Sequence, residues 1–206
     1  MISYETLALL QNAITVYDEL EGKDYLLAYS SSKKQPLQFL SIKIQKKNFW
    51  HLLGCRINDE SMINHDMLYE KCINGENICW HLDYTSKKSE VSTKYNVFMQ
   101  IFNFIDKGRA IRLCIADQTQ VFEIGAGNIK GLIGYSKDEK GEHYYPKTTQ
   151  SKSIYEIDKN ANYKIVFVLS KFFGEDVYKT VEYEIVNGIY EHSKPLHLDV
   201  GGDSVA

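Results

Sequence analysis

The chain has 206 residues, 44% of them apolar, 25% charged and 13% aromatic, and a formal net charge of −3. This is enough chain for one substantial core, and the aromatic content with only three prolines favours ordered sheet over disorder. The charge excludes a global basic field that would attract nucleic acid, so such a partner would have to be held by a local basic patch.

Tyr4 to Leu20 is predicted as an amphipathic helix, because Leu7, Leu10, Ala13, Ile14 and Tyr17 recur at three- and four-residue spacing and Gly22 supplies a stop. Two strand-like runs follow, Tyr25 to Tyr29 and Leu37 to Ile44. The Ser-Ser-Ser-Lys-Lys-Gln-Pro segment between them is turn chemistry and implies a hairpin. Lys47 to Leu53 reads as a short helix. Met62 to Ile73 and Thr93 to Ile105 also read as helices, the second carrying a broad apolar stripe of Tyr95, Val97, Phe98, Ile101, Phe102 and Ile105 and ending at Gly108.

Beyond that point the pattern turns to strands: Ala110 to Ala116, Gln120 to Ile124, Gly131 to Tyr135, Tyr163 to Leu169 and Thr180 to Val186. The Lys-Asp-Glu-Lys-Gly turn at 137–141 joins the third of these to a short run, His143 to Tyr145. Gly125-Ala126-Gly127 lacks the third glycine and following helix of a dinucleotide site and reads as a turn. Helices early and antiparallel strands late give an α+β fold, with an antiparallel β-sheet packed against helices. Residues 1–194 are expected to form a single domain with an N-terminal helix, and 195–206 a loose C-terminal tail.

No run has the form of a signal segment or reaches membrane-spanning length, so a cytoplasmic protein without a membrane partner is expected. Cys55, Cys72, Cys79 and Cys114 match no zinc spacing, and the acidic residues Asp83, Asp117, Glu123 and Asp138 show no paired pattern. No metal and no cofactor is expected.

Two constellations could carry chemistry. The first is Lys46, Lys47, His51 and Arg56. On a short helix His51 falls one turn after Lys47, on the same face, where lysines neutralise a phosphate and a histidine moves a proton. The alternative for the same residues is that Phe49, Leu52 and Leu53 are core and His51 is a polar residue at its edge. The second is Glu142 to Thr149, which packs His143, Tyr144, Tyr145, Lys147, Thr148 and Thr149 into eight residues. Pro146 holds Tyr145 extended, so Lys147 and Thr148 are expected at a strand end. Thr148, Thr149 or Ser151 would then cap a short helix near 151–156. His65, His81, His192 and His197 are expected at the surface.

The run Lys46-Lys47-Asn48-Phe49-Trp50-His51-Leu52-Leu53-Gly54, followed much later by Tyr144-Tyr145-Pro146-Lys147-Thr148, resembles the phage-type branch of the barnase, EndoU, colicin and RelE-like nucleases. Leu68 to Cys72 sits where that family carries a helix, and Gly131 to Tyr135 where it carries a strand. The resemblance spans roughly Leu20 to Val168. It implies a barnase/EndoU/RelE-like fold and metal-independent cleavage of RNA by attack of the 2′-hydroxyl, in a phage, mobile-element or toxin setting. In that scheme His51 is the base or acid, Lys147 the cation, Thr148 or Tyr145 a positioning group and His143 a second proton carrier. Lys46, Lys47 and Arg56 would contact substrate. The partners implied are RNA and an inhibitor or immunity protein. One position departs from the pattern: the family shows threonine where this chain has Leu53. The alternative is a non-enzymatic binding, immunity or adaptor module that keeps the fold.

Overall fold

A computed structural model describes residues 1–31, 35–102, 111–159, 161–186 and 189–195. Helix α1, Tyr4–Asp18, begins where the Ser3 hydroxyl accepts the Thr6 amide proton, and it buries Leu7, Leu10, Ala13, Ile14 and Tyr17. Gly22, at φ +77°, turns the chain into β1, Lys23–Ser30, which pairs antiparallel with β2, Gln38–Lys43. A 3-10 turn at Lys46–Asn48 runs into the single-turn helix α2, Phe49–Leu52. Strands β3, Cys55–Ile57, and β4, Leu82–Tyr84, form a separate two-stranded sheet, with helix α3, His65–Ile73, between them in sequence. Helix α4 follows at Lys88–Ile101.

The remaining elements are β5, Arg112–Ile115; β6, Ile124–Gly127; β7, Leu132–Lys137; β8, Tyr144–Gln150; α5, Ile154–Ile157; β9, Tyr163–Phe172; β10, Thr180–Val186; and β11, Ile189–Pro195. The main sheet has the order β1-β2-β8-β7-β6-β5-β9-β10-β11, and β1 also pairs with β9. The sheet therefore curls until seven strands close on themselves, with β10 and β11 continuing from β9. Its pairings are antiparallel except at β2–β8, which is parallel and joined at Ile42 and Tyr144 alone among the described residues.

Helices α2 and α4 pack on β8, and α1 packs on α4. Between them lies one large apolar core in which Tyr17 is stacked on Phe102 at 5.0 Å and meets Phe49 edge-on at 5.2 Å. Ile42, Ile133, Tyr135 and Val168 supply the sheet side of this core. A smaller cluster of Cys114, Ile154 and Ala161 is covered by α5.

The α+β reading and the early hairpin agree with these elements; several boundaries do not. Helix α3 starts at His65 rather than Met62, because the Asn64 side chain accepts the Met67 amide proton and fixes the first turn there. Helix α4 starts earlier than Thr93: its polar first turns are anchored by Val91, which is only 1% exposed. The expected end at Gly108 lies outside the described residues, as do 196–206 of the expected tail. Residues 117–121 form a turn rather than a strand start, with the Asp117 carboxylate accepting the Thr119 amide proton at 2.9 Å.

Gly125 to Gly127 is not a turn but part of β6. A Cβ on Gly125 would stand 2.8 Å from the Cys114 sulfur, and one on Gly127 would stand 2.2 Å from the Gly131 carbonyl oxygen. The glycines allow close approach of neighbouring strands. Nor does the strand after the 138–141 turn stop at Tyr145. It runs through Lys147 and Thr148 to Gln150, and the helix beyond is capped by Ser153, not by Thr148, Thr149 or Ser151.

The backbone contact at Gly127 gives a direct test. Gly127→Ala is expected to cost about 3 kcal/mol, because backbone and not a flexible side chain must give way. Gly141→Ala, at φ +72° with nothing within 4 Å, should cost only about 1 kcal/mol. Urea unfolding of the two variants beside the wild type measures the difference.

Candidate functional site

The β2–β8 seam opens into a groove of about 680 Å³ between the end of β2 and the β7–β8 hairpin. Lys43, Lys47, Lys137 and Lys140 line it together with His143, Tyr144 and Tyr145. Asp138, Glu139 and Glu142 also border it, so its formal balance is four lysines against three acids. The Asp138 carboxylate is already engaged, accepting the backbone amide protons of Glu142 at 2.9 Å and His143 at 3.4 Å. Lost hydration raises its pKa, but these hydrogen bonds, the charge of His143 and the Gly141 amide together outweigh it and hold the carboxyl below its ordinary value.

His143 is half-buried, and its Nδ1 lies 2.9 Å from the Ser41 hydroxyl of β2. That contact crosses the seam and engages Nδ1 of a ring that also lines the groove. Across the hairpin the Lys137 ammonium stands 5.6 Å from the centre of the Tyr144 ring. The floor at Gln45 is fixed by Tyr17, whose hydroxyl donates to the Gln45 carbonyl at 2.7 Å. A buried helix residue thereby ties the core to the groove.

Lys147 occupies an irregular place in β8. Thr148 pairs with Gly134 and Pro146 with Tyr135, so the register shifts by one and Lys147 has no residue opposite it. Proline lacks the amide proton a regular ladder needs, and a bulge is where a strand tolerates it. The exposed Lys147 consequently projects into a second depression of about 800 Å³, which shares Lys137, Tyr144 and Tyr145 with the groove.

Lys47, His143, Tyr145 and Lys147 are therefore gathered along one continuous surface, while the other candidates stand elsewhere. Thr148 is half-buried on the side of Gly134, whose Cβ position is filled by the Phe122 ring, and it lines neither depression. Lys46 is ion-paired with Glu70 at 2.5 Å and lies 5.4 Å over the Tyr69 ring, which fastens the 3-10 turn to α3. Arg56 belongs to the β3–β4 sheet, opposite Asp83.

His51 lines neither depression. Helix α2 packs into the core with Phe49, Trp50 and Leu52 buried, on the side of β8 marked by Ile133 and the fully buried Thr149. Lys147 opens on the other side, with Phe122. The charged neighbours of His51 are His65 of α3 and Lys94 of α4. The Lys94 ammonium and the Thr85 hydroxyl each lie 3.6 Å from where a Cβ on Gly54 would stand. The His51 side chain reaches solvent, but partial loss of hydration, then the positive charge of His65 and Lys94, holds its pKa below the ordinary imidazole value. Of the remaining expected surface histidines, His65 is exposed, whereas His81 is half-buried and lies 2.9 Å from the Ser61 hydroxyl.

The sequence reading missed Ser41, Lys43, Lys137 and Lys140. No local signal marks Ser41, since its role appears only when β2 meets β8. Lys137 and Lys140 lie in the Lys-Asp-Glu-Lys-Gly segment, whose residue pattern signals a turn and nothing more. All four cysteines are free and buried, and burial pushes the Cys55 and Cys72 thiols up to about 12. Among the described residues no three His, Cys, Asp or Glu side chains cluster as a metal site, and no helix is long and apolar enough to cross a membrane.

Comparison with known families finds one model over residues 9–187, described as phage-Barnase-EndoU-ColicinE5/D-RelE like nuclease4. No curated protein and no solved structure matches the chain.

The charge environment of His51 has a measurable consequence. A lowered folded pKa means that the unfolded chain binds this proton first, so the stability held by neutral His51 is present above the ordinary imidazole range. It is lost as pH falls through the lowered folded value. Removing one cationic neighbour with Lys94→Gln should move the His51 titration upward, followed by NMR of the imidazole protons. No movement would mean that Lys94 does not act on His51.

Proposed function

Because the chain belongs to the phage-Barnase-EndoU-ColicinE5/D-RelE like nuclease family, we propose that it is a metal-independent ribonuclease on a barnase/EndoU/RelE-like fold, working in the groove at the β2–β8 seam. The observation that carries this reading is the meeting of His143, held at Nδ1 by Ser41, with four lysines and Tyr145 in one groove that continues to Lys147.

In the proposed reaction the substrate's own 2′-hydroxyl gives up its proton, and its oxygen bonds to the adjacent phosphorus. The bond from phosphorus to the 5′-oxygen breaks, and the leaving oxygen takes up a proton. The products are a 2′,3′-cyclic phosphate and a 5′-hydroxyl. Imidazole is suited to take and return such protons, which assigns that work to His143 through Nε2. The ammonium groups of Lys147, Lys137 and Lys47 offset the charge that builds on the phosphate oxygens, and the Tyr145 hydroxyl positions them. The need for a 2′-hydroxyl selects RNA over DNA.

His51 in this reading is not the base. It belongs to the α2–α3–α4 cluster, and the paired action of His51 and Lys147 expected from the motif is replaced by His143 and Lys147. Leu53, where the family pattern has threonine, is fully buried in the core and does not line the groove. The alternative of a binding module without activity then rests on the overall charge of −3.

Cleavage of a mixed-sequence single-stranded RNA with EDTA present tests the proposal. His143→Ala is expected to slow cleavage about 100-fold or more, and Lys147→Ala about 100-fold. His51→Ala should remain close to wild type. Cyclic phosphate ends should appear in the products. Loss of activity with EDTA, or a larger loss in His51→Ala than in His143→Ala, would overturn it, and tight RNA binding without cleavage by the wild type would favour the binding module.

A further inference from the structure

The second depression is more than an extension of the groove. It measures about 800 Å³, and its walls differ in kind from those of the lysine-lined groove. Its lining is rich in aromatic rings: Tyr29 of β1, Tyr144 and Tyr145 of β8. Tyr29 is close enough to Tyr144 and Tyr163 that their phenols raise its pKa, after the larger effect of lost hydration, and it meets the Tyr163 ring edge-on at 5.6 Å. The same lining carries Ile115 and Val121, which stand 59% and 61% exposed, two large aliphatic side chains in a depression that also holds three tyrosines. Neither belongs to an apolar core cluster.

Polar groups suited to reading a flat heterocycle border the same space. Gln118, Gln120 and Glu123 line it, and Glu123 is fixed in direction because its Oε1 accepts the Lys137 amide proton at 3.0 Å. Its second oxygen and the two carboxamides offer acceptors and donors at the edge of whatever lies between the apolar walls. Cations stand where this depression joins the groove: Lys137 is over the Tyr144 ring and Lys147 lines the depression itself. Rings and aliphatic side chains beside ammonium groups match a nucleotide, with its apolar base faces, polar base edge and attached phosphate.

The geometry points to a nucleobase-binding subsite in this depression, holding one unstacked base of single-stranded RNA between the Tyr29–Tyr144 side and Ile115 and Val121, next to the phosphate that the groove would cleave. The assignment rests on the ribonuclease reading for its phosphate and goes beyond it by stating where the neighbouring base is held. Affinity at such a site comes from stacking and apolar cover, which every base can provide, with the Glu123 and glutamine edge setting any preference.

Three short RNAs separate this from a general electrostatic groove: one carries a base on both sides of the cleaved linkage, and the other two carry an abasic ribose at one flank or the other. Val121→Asp and Ile115→Asp change exposed side chains outside the proposed catalytic set, and Tyr29→Leu removes the ring but keeps bulk. Thermal melts confirm folding of each. Val121→Asp and Tyr29→Leu are expected to raise KM on the base-bearing RNA about tenfold. They should leave kcat, and cleavage of one of the abasic RNAs, within about twofold of wild type. Equal losses on the base-bearing and both abasic RNAs, or no loss on any, would overturn the subsite while leaving the nuclease intact. A wild type that cleaves none of the RNAs overturns the nuclease reading instead. The subsite is then read by fluorescence anisotropy with a labelled 2′-deoxy oligonucleotide, where an unchanged affinity in Val121→Asp overturns it and a tenfold loss supports it.

Discussion

The pairing of β1 with both β2 and β9 is the constraint on which the rest of this structure depends. β1 and β9 stand at the two ends of the run β1-β2-β8-β7-β6-β5-β9, so their pairing closes it into a ring in which β2 lies beside β8. These two strands come from distant parts of the chain and run parallel, so no hairpin can set their register. They meet at Ile42 and Tyr144 and then diverge. A fully zipped ladder would have closed the space between them. The incomplete seam leaves it open: Lys43, His143 and Tyr145 line the groove, and Ser41 bridges to His143 beside it. The groove is a consequence of how the sheet closes.

Rigidity at that seam comes from the core. Tyr17 is fully buried among Phe49, Phe98 and Phe102, and its hydroxyl reaches the Gln45 carbonyl at the bottom of the groove. A buried phenol needs a hydrogen-bond partner, and this one takes it from the segment linking β2 to α2. Lys46 holds the same segment from outside through Glu70. The motif that carries the family resemblance thus spends Phe49, Trp50, Leu52 and Leu53 on the core and Lys46 on an ion pair. Lys47 is the residue it contributes to the groove.

Local features of the fold were legible in the sequence. The period of Leu7, Leu10, Ile14 and Tyr17 marked α1, and turn chemistry between two strand-like runs marked the β1–β2 hairpin, because each signal lies within one element. Where reading failed, the deciding partner was remote or the residue ambiguous. Pro146 looked like a strand end; the bulge opposite Gly134 and Tyr135 absorbs it. Gly125 and Gly127 looked like a turn, yet they are small because Cys114 and Gly131 approach them. The Ser153–Glu156 capping box was present as Ser-Ile-Tyr-Glu and would have placed α5 correctly. For the site, Lys47, His143, Tyr145 and Lys147 could be named from residue type, but their grouping could not. Sequence spacing does not reveal that Lys47 rather than His51 will line the groove, nor that Ser41 will reach His143 across 102 positions.

The charge of the whole chain argued against a polyanionic partner, and the structure shows why that argument is weak. Opposite charges are not spread evenly. Lys43, Lys47, Lys137 and Lys140 fall on one groove because β2, the 3-10 turn and the β7–β8 hairpin converge there. One of the three acids beside them is taken up by backbone amides. At physiological ionic strength charges separated by more than about 8 Å are largely screened. An anion in the groove would therefore respond to the four lysines and three acids that line it and hardly to charges elsewhere on the surface. What decides recognition is the local arrangement, and that arrangement is set by strand pairing. A chain of net charge −3 can in this way present a positive groove without any basic run in its sequence longer than two residues.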